Sequence, residues 1–119
     1  MIQGKVWGTT ENIFSDGATV SAHALRIMQG AYCSIHKHTH KDNIFYVIGG
    51  KLEIAQWPCG KADDEGQPDV TILGPGQSTS VEAGNWHRFR AVSDVLCIEI
   101  CYGKLIGEDI MRRSTGGAF

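Results

Sequence analysis

The sequence predicts an all-β domain, folded as a closed or nearly closed barrel or a jelly roll. Three observations carry this. Short runs rich in Val, Ile, Thr, Phe and Tyr recur along the chain at strand length. Glycine is frequent (15 residues) and proline scarce (3), and the glycines fall between those runs, as tight turns require. No stretch before residue 103 carries an apolar stripe at helical spacing. Many short antiparallel strands in one small domain favour closure, because closure removes the unpaired strand edges.

Strands are predicted near 18–29, 32–38, 44–48, 50–56, 69–73, 78–82, 86–92 and 95–102. The stretch VIGGKLEI reads as two strands about a Gly-Gly turn, since paired glycines supply the positive φ angles of a primed hairpin turn. Residues 57–69, WPCGKADDEGQPD, are polar, acidic and rich in turn formers, so they read as a surface loop. Asp63, Asp64 and Glu65 lack the oxygen-ligand spacing of a calcium loop, and a solvated acidic turn is the simpler reading. A short helical turn is expected from Gly107 to Arg113, followed by a frayed end. The whole chain, 1–119, is read as one domain, with a barrel core at about 18–102, an N-terminal arm at 1–17 and a C-terminal tail at 103–119.

With 119 residues, 42% hydrophobic and 20% charged, the chain has the composition of an ordinary globular domain. A formal charge of −2 gives no electrostatic reason to expect nucleic acid or an anionic membrane as partner. No apolar run approaches the roughly 20 residues of a membrane helix. The opening MIQGKVWGTT has no charged-then-apolar signal pattern, so a cytoplasmic address is the expectation. Cys33, Cys59, Cys97 and Cys101 form no close C-x-x-C pair and are read as small buried hydrophobes in a reducing compartment.

The chemistry concentrates in GAYCSIHKHTHKDNIFYVIGGKLEI, residues 30–54. Side chains alternate along a strand, so Tyr32, Ser34, His36, His38 and His40 are expected on one face. If that face is the interior, His36 and His38 lie close enough to share one cation, and neutral imidazole is the commonest metal ligand. His87 opens a distant strand just after Ala83-Gly84-Asn85. Two histidines from one strand and one from another would make a three-His face with positions left open for water or substrate.

The spacing of these residues resembles the cupins. The first cupin motif runs Gly, five residues, His-x-His, four residues, Glu, six residues, Gly; this chain has Gly30, His36, His38, Asn43 in the place of Glu, and Gly50. The second runs Gly, five residues, Pro-x-Gly, two residues, His, three residues, Asn; here stand Gly76, Glu82 for Pro, Gly84, His87 and Ala91 for Asn. The resemblance spans residues 30–91 and implies a small single-domain cupin, a double-stranded β-helix or jelly-roll barrel. It also implies a homodimer, His36, His38 and His87 as metal ligands, and Asn43 in the fourth ligand's place. A neutral amide oxygen binds a divalent cation less strongly than a carboxylate. Three outcomes stay open: Asn43 as a weak or outer ligand, replacement by His40 or Asp42, or a polar pocket without metal. His40 beside Lys41 and Asp42 reads equally as a solvent-facing turn residue, and His23 as structural.

The end of the chain is similar to the closing segment of the cupin domain in bifunctional mannose-6-phosphate isomerases, through Gly103, Leu105, Gly107, Glu108, Asp109, Ile110 and Arg112. This covers about 20 residues and speaks to ancestry more than activity.

The candidate pocket residues are Tyr32, Ser34, Phe45, Phe89 and Glu99, with Trp86 and Tyr102 beside them. Arg88 and Arg90 alternate away from His87 and Phe89 and are read as exterior or at a dimer contact, the alternative being an Arg face at the pocket mouth that binds a phosphate or carboxylate. Glu53 and Glu99 are available carboxylates that parity alone does not place. The sequence thus points to a metal-binding cupin with a divalent transition metal (Zn, Fe, Ni, Mn or Cu) that binds or acts on a small polar metabolite. A sugar or sugar phosphate is the leading ligand class, with isomerase-, epimerase- or dioxygenase-like chemistry. A non-catalytic ligand-binding or sensor module is the competing reading.

Overall fold

A computed structural model of the chain describes residues 2–57, 67–107 and 109–117. It is all-β. The strands are Ile2–Lys5 (β1), Gly8–Ser15 (β2), Val20–Ile27 (β3), His36–Lys37 (β4), Lys41–Gly49 (β5), Leu52–Trp57 (β6), Asp69–Leu73 (β7), Ser78–Val81 (β8), Trp86–Ala91 (β9), Val95–Gly103 (β10) and Met111–Arg112 (β11). They form two antiparallel sheets, one ordered β1-β2-β3-β10-β5-β8 and the other β11-β4-β9-β6-β7. The predicted jelly-roll class is what the chain adopts. No described helix is long and apolar enough to cross a membrane.

Period-two alternation builds the interior. Phe45 and Val47 on β5, Leu52 and Ile54 on β6, Phe89 and Ala91 on β9, and Val95 and Cys97 on β10 all point between the sheets and join one buried cluster. Trp7, at the turn between β1 and β2, closes that cluster with its ring 5.0 Å from Phe89 in an edge-on contact. The same inward rows then change character toward one end of the barrel. Asn43 precedes Phe45 on β5, His87 precedes Phe89 on β9, and Glu99 and Cys101 follow Cys97 on β10. One end of the interior is therefore dry packing and the other is a polar floor.

Several sequence expectations change. The N-terminal arm contains a hairpin: β1 pairs with β2, and β2 pairs with β3, which extends the larger sheet. Both strands are exposed along most of their length, so they carry no apolar alternation to announce them. The strand expected over 32–38 shrinks to two residues plus isolated bridges from Tyr32 to Arg90 and to Gly117. The glycine turn in VIGGKLEI does join two strands, but it is not a hairpin, because β5 lies in one sheet and β6 in the other. Gly50 alone of the pair has positive φ, at 86°, and a Cβ there would lie 2.0 Å from the Asp94 carbonyl oxygen.

The C-terminal helical turn is absent among the described residues, and β11 stands in its place, paired with β4. The reason is the open edge of β4. The Asp109 carboxylate accepts the backbone N–H groups of Thr39 and His40, each at 2.8 Å, and the Arg113 N–H donates to the Ile35 carbonyl at 2.8 Å. The tail thus satisfies a neighbouring strand instead of closing on itself. Cys33, Cys97 and Cys101 are buried and free, and burial pushes each thiol up to about 12. Cys59 and the acidic run Asp63, Asp64 and Glu65 lie outside the described residues.

Candidate metal centre and its cavity

Strand β4 lies against β9 with His36 and His87 as register partners, and His38 follows two residues on. The rings of His36 and His87 are 4.3 Å apart between centroids, those of His36 and His38 5.1 Å, and those of His38 and His87 5.5 Å. One nitrogen from each ring lies within 4.8 Å of the others, a grouping that could hold a metal ion.

The tautomers follow from the partners. His36 Nδ1 is 2.7 Å from the Ser34 carbonyl, with the Ser34 hydroxyl also in reach at 3.2 Å. His38 Nδ1 is 2.7 Å from the Asp109 carbonyl, and His87 Nδ1 is 3.1 Å from the Asn85 carbonyl. A carbonyl only accepts, so each Nδ1 carries the proton and each Nε2 keeps a free lone pair. This is how metal-binding histidines are held, with the far nitrogen fixed by an outer acceptor. His87 Nε2 is buried with no hydrogen-bond partner. An orphaned acceptor in a folded interior calls for something to receive it.

Electrostatics agrees with the geometry. Burial drives His87 down to about 3 and His36 down to about 4, and it also lowers His38, so all three rings are neutral at physiological pH. Lys41 adds to the burial effect on all three, repulsion from neighbouring histidines adds to it on His36 and His87, and Arg112 acts on His36 as well. Neutral imidazoles with free Nε2 lone pairs are the form a transition metal requires. The donor set fits a divalent cation, with His36, His38 and His87 as the residues that would hold it.

The remaining sequence-nominated residues divide. Asn43 is fully interior; its amide Nδ2 donates to Glu99 Oε2 at 2.7 Å, and its Oδ1 is buried without a partner. His40 is exposed, and Asp42 is engaged elsewhere, its carboxylate accepting the Ala83 N–H at 2.6 Å. Neither joins the three imidazoles. Ser34, Phe89 and Glu99 line a cavity of about 490 Å³ that also takes in His36 and His38. Phe45 and Tyr32 do not line it. Phe45 faces inward but at the dry end, packed in the core against Phe89. Tyr32 is turned toward Gly117 and the Arg88 guanidinium, because Cys33 and Ser34 both take the interior and break the alternation.

Trp86 is covered by Lys37 and Arg113 on its outer face, Tyr102 is exposed, and Arg90 reaches Glu53 across the surface at 3.5 Å. His23, read as structural, lines the cavity and contacts the Ser21 hydroxyl at 3.1 Å. Register partnership with Glu99 puts it there. Sequence reasoning also missed Lys5, Trp7 and Thr10 from the N-terminal hairpin and Arg112 from β11, all on the cavity wall. Only the pairing of the two chain ends with the barrel brings them in. Asp109, noted for its tail resemblance, works here as a clamp on the turn after His38.

The family model described as Cupin domain matches residues 24–101. No curated protein matches the chain. Among solved structures, KdgF from Halomonas sp. superposes with a TM-score of 0.71 at 20% identity, covering 88% of this chain and 89% of KdgF. The capsular polysaccharide assembling protein CapF from Staphylococcus aureus gives 0.80 at 12% identity, covering 97% of this chain and 32% of CapF. Oxalate decarboxylase from Bacillus subtilis gives 0.75 at 14% identity, covering 94% of this chain and 29% of the decarboxylase. The chain thus spans about a third of these two longer proteins, and at such identities the likeness is one of fold. The two histidine motifs, the jelly-roll topology and a family match over most of the barrel lead to one assignment: this chain belongs to the cupin family.

Proposed function

We propose that the chain is a metal-binding cupin whose cavity takes a small, polar, anionic metabolite, with sugar phosphates as the leading class. The observation that carries the metal assignment is the convergence of three buried, neutral imidazoles whose Nδ1 protons are all committed to carbonyls. A divalent cation bound there supplies Lewis acidity toward a ligand oxygen or a water. The chain's own residues do the rest. Lys5, Lys41 and Arg112 reach the cavity wall from three different strands, and among the described residues Glu99 is the one carboxylate that lines it. That balance favours an anionic group on the ligand, through charge-assisted hydrogen bonds. Trp7, Leu25 and Phe89 form an apolar side against which a carbon skeleton packs and from which water is excluded.

A second reading has its own support. No carboxylate joins the three imidazoles within 4.8 Å among the described residues, so a ready proton acceptor beside the cation is not evident. That favours a binding or sensor module over an enzyme. The two are separated by one experiment on metal-loaded protein offered a panel of hexose and pentose phosphates beside the unphosphorylated sugars. Turnover followed by NMR, with thermal stabilisation by the same compound, supports an enzyme. Stabilisation without turnover supports the module. Stabilisation by neutral sugars but not by phosphates contradicts the anionic assignment.

A further inference from the structure

We infer that Asn43 and Glu99 act together as the fourth arm of the metal centre: Asn43 Oδ1 faces the cation, and Glu99 supplies, through the Asn43 amide, the negative charge that position 43 lacks. The inference rests on the metal-binding reading above and deepens it.

The two ends of the Asn43 amide do different things. The residue is 1% exposed, and its side chain is stationed at the polar end of the interior, one inward step from Phe45. Its Nδ2 donates to Glu99 Oε2 at 2.7 Å and lies 3.7 Å from Cys101 Sγ. That contact fixes the amide's orientation, because the reverse flip would set a carbonyl oxygen against a carboxylate. The amide oxygen is then left buried and unpartnered. Among the described residues, only two other side-chain atoms share that condition: His87 Nε2 and the indole nitrogen of Trp57. Burying an unpaired acceptor costs about 1–3 kcal/mol. Two orphaned acceptors, one on a ligand histidine and one at the position aligned with the fourth ligand, have one common remedy in a shared cation.

Glu99 explains how an amide suffices. It lies on β10, next to the register pair Cys101–Asn43, and so reaches Asn43 across the strand boundary. It lines the cavity with His36 and His38, and its negative charge is felt at His38. No other hydrogen bond to Glu99 is seen among the described residues. A carboxylate accepting from an amide N–H draws electron density toward the amide oxygen and strengthens it as a donor, as outer-sphere partners do at metal sites. Placing the carboxylate one bond further out keeps an acidic charge at the centre without putting it among the ligands.

The test is metal affinity, read by competition with a chromogenic chelator using Zn(II) and Mn(II), alongside the melting temperature of the metal-free protein. Glu99→Gln and Asn43→Leu should each weaken binding about 10–100-fold. The double variant should be no weaker than Asn43→Leu alone, because Glu99 acts through Asn43. Should Glu99→Gln fold poorly, Asn43→Asp/Glu99→Gln moves the charge to position 43 and should bind within a few-fold of the parent. Unchanged affinity in Glu99→Gln overturns the inference while leaving the three-histidine site intact. So do strictly additive losses, or a relocated-charge variant as weak as Glu99→Gln. A parent that binds no metal overturns both.

Discussion

His36 and His87 are register partners on two adjacent strands, with ring centroids 4.3 Å apart and their Nδ1 atoms each tied to a carbonyl two residues earlier in the chain. The local chain therefore orients each ring before any ligand arrives. His38 differs, since its Nδ1 depends on the Asp109 carbonyl 71 residues away. The centre is pre-set on one side and completed by the C-terminal tail on the other.

This dependence gives the first prediction. Asp109→Ala removes the acceptor for the Thr39 and His40 N–H groups, which bracket the turn after His38. The expected cost is about 1–2 kcal/mol in stability, with a weaker metal site because the loosened tail no longer fixes the Asp109 backbone carbonyl against His38 Nδ1. Chemical denaturation and metal titration of the variant check both. Full metal affinity in Asp109→Ala would show that the Asp109 carboxylate is not needed to keep its backbone carbonyl, which the substitution retains, on His38.

The second prediction concerns pH. The three histidines have folded-state values depressed from 6.5, to about 4 for His36 and about 3 for His87, with His38 lowered as well. Between those values and 6.5 the unfolded chain binds more protons than the folded one, so stability falls as pH falls through that window. Each histidine contributes a slope of up to about 1.4 kcal/mol per pH unit. Metal-free protein should be insensitive to these groups above pH 7 and lose melting temperature steadily from about pH 6.5 toward 4. Replacing His36 and His87 by Gln should flatten that slope. An equally steep fall in the Gln variant would place the acid sensitivity elsewhere.

The third prediction addresses the cationic wall. Lys41 and Arg112 are close enough to His36 to depress it. Lys41→Gln and Arg112→Gln should each weaken a phosphorylated ligand by about tenfold, the scale of one charge-assisted hydrogen bond. Both should leave metal content unchanged. Calorimetric titration of metal-loaded protein reads the first effect and elemental analysis the second. Equal loss for neutral and phosphorylated ligands would mean that these side chains shape the cavity instead of binding the anion.

The sequence disclosed the fold class and the three-histidine grouping because both rest on periodicity. Alternate residues share a face, so His36 and His38 came together on spacing alone, and the distance to His87 matched a known motif. Parity gives the face but not the depth along the barrel. Phe45, expected to line the pocket, faces inward but sits at the dry end, whereas Glu99, also inward, sits at the polar end. Alternation also fails where a strand is too short to enforce it, which is why Cys33 and Ser34 both line the cavity and Tyr32 does not. The Asn43–Glu99 contact depends on the register of β5 against β10, a relation between residues 56 positions apart that no local pattern encodes. The N-terminal hairpin and β11 were hidden for a simpler reason. Their strands are largely exposed and carry no alternating apolar row, so they give no strand signal until the barrel offers them an edge to join.

The most direct test of the account is the metal content of the purified protein, measured beside a variant with His36 and His87 both changed to Ala. About one equivalent of a divalent transition metal per chain is expected in the parent, as one three-histidine site implies, and none above background in the variant. Parent protein that stays metal-free after incubation with Zn, Fe, Ni, Mn and Cu would contradict it. The three imidazoles would then be a polar pocket that hydrogen-bonds its ligand directly.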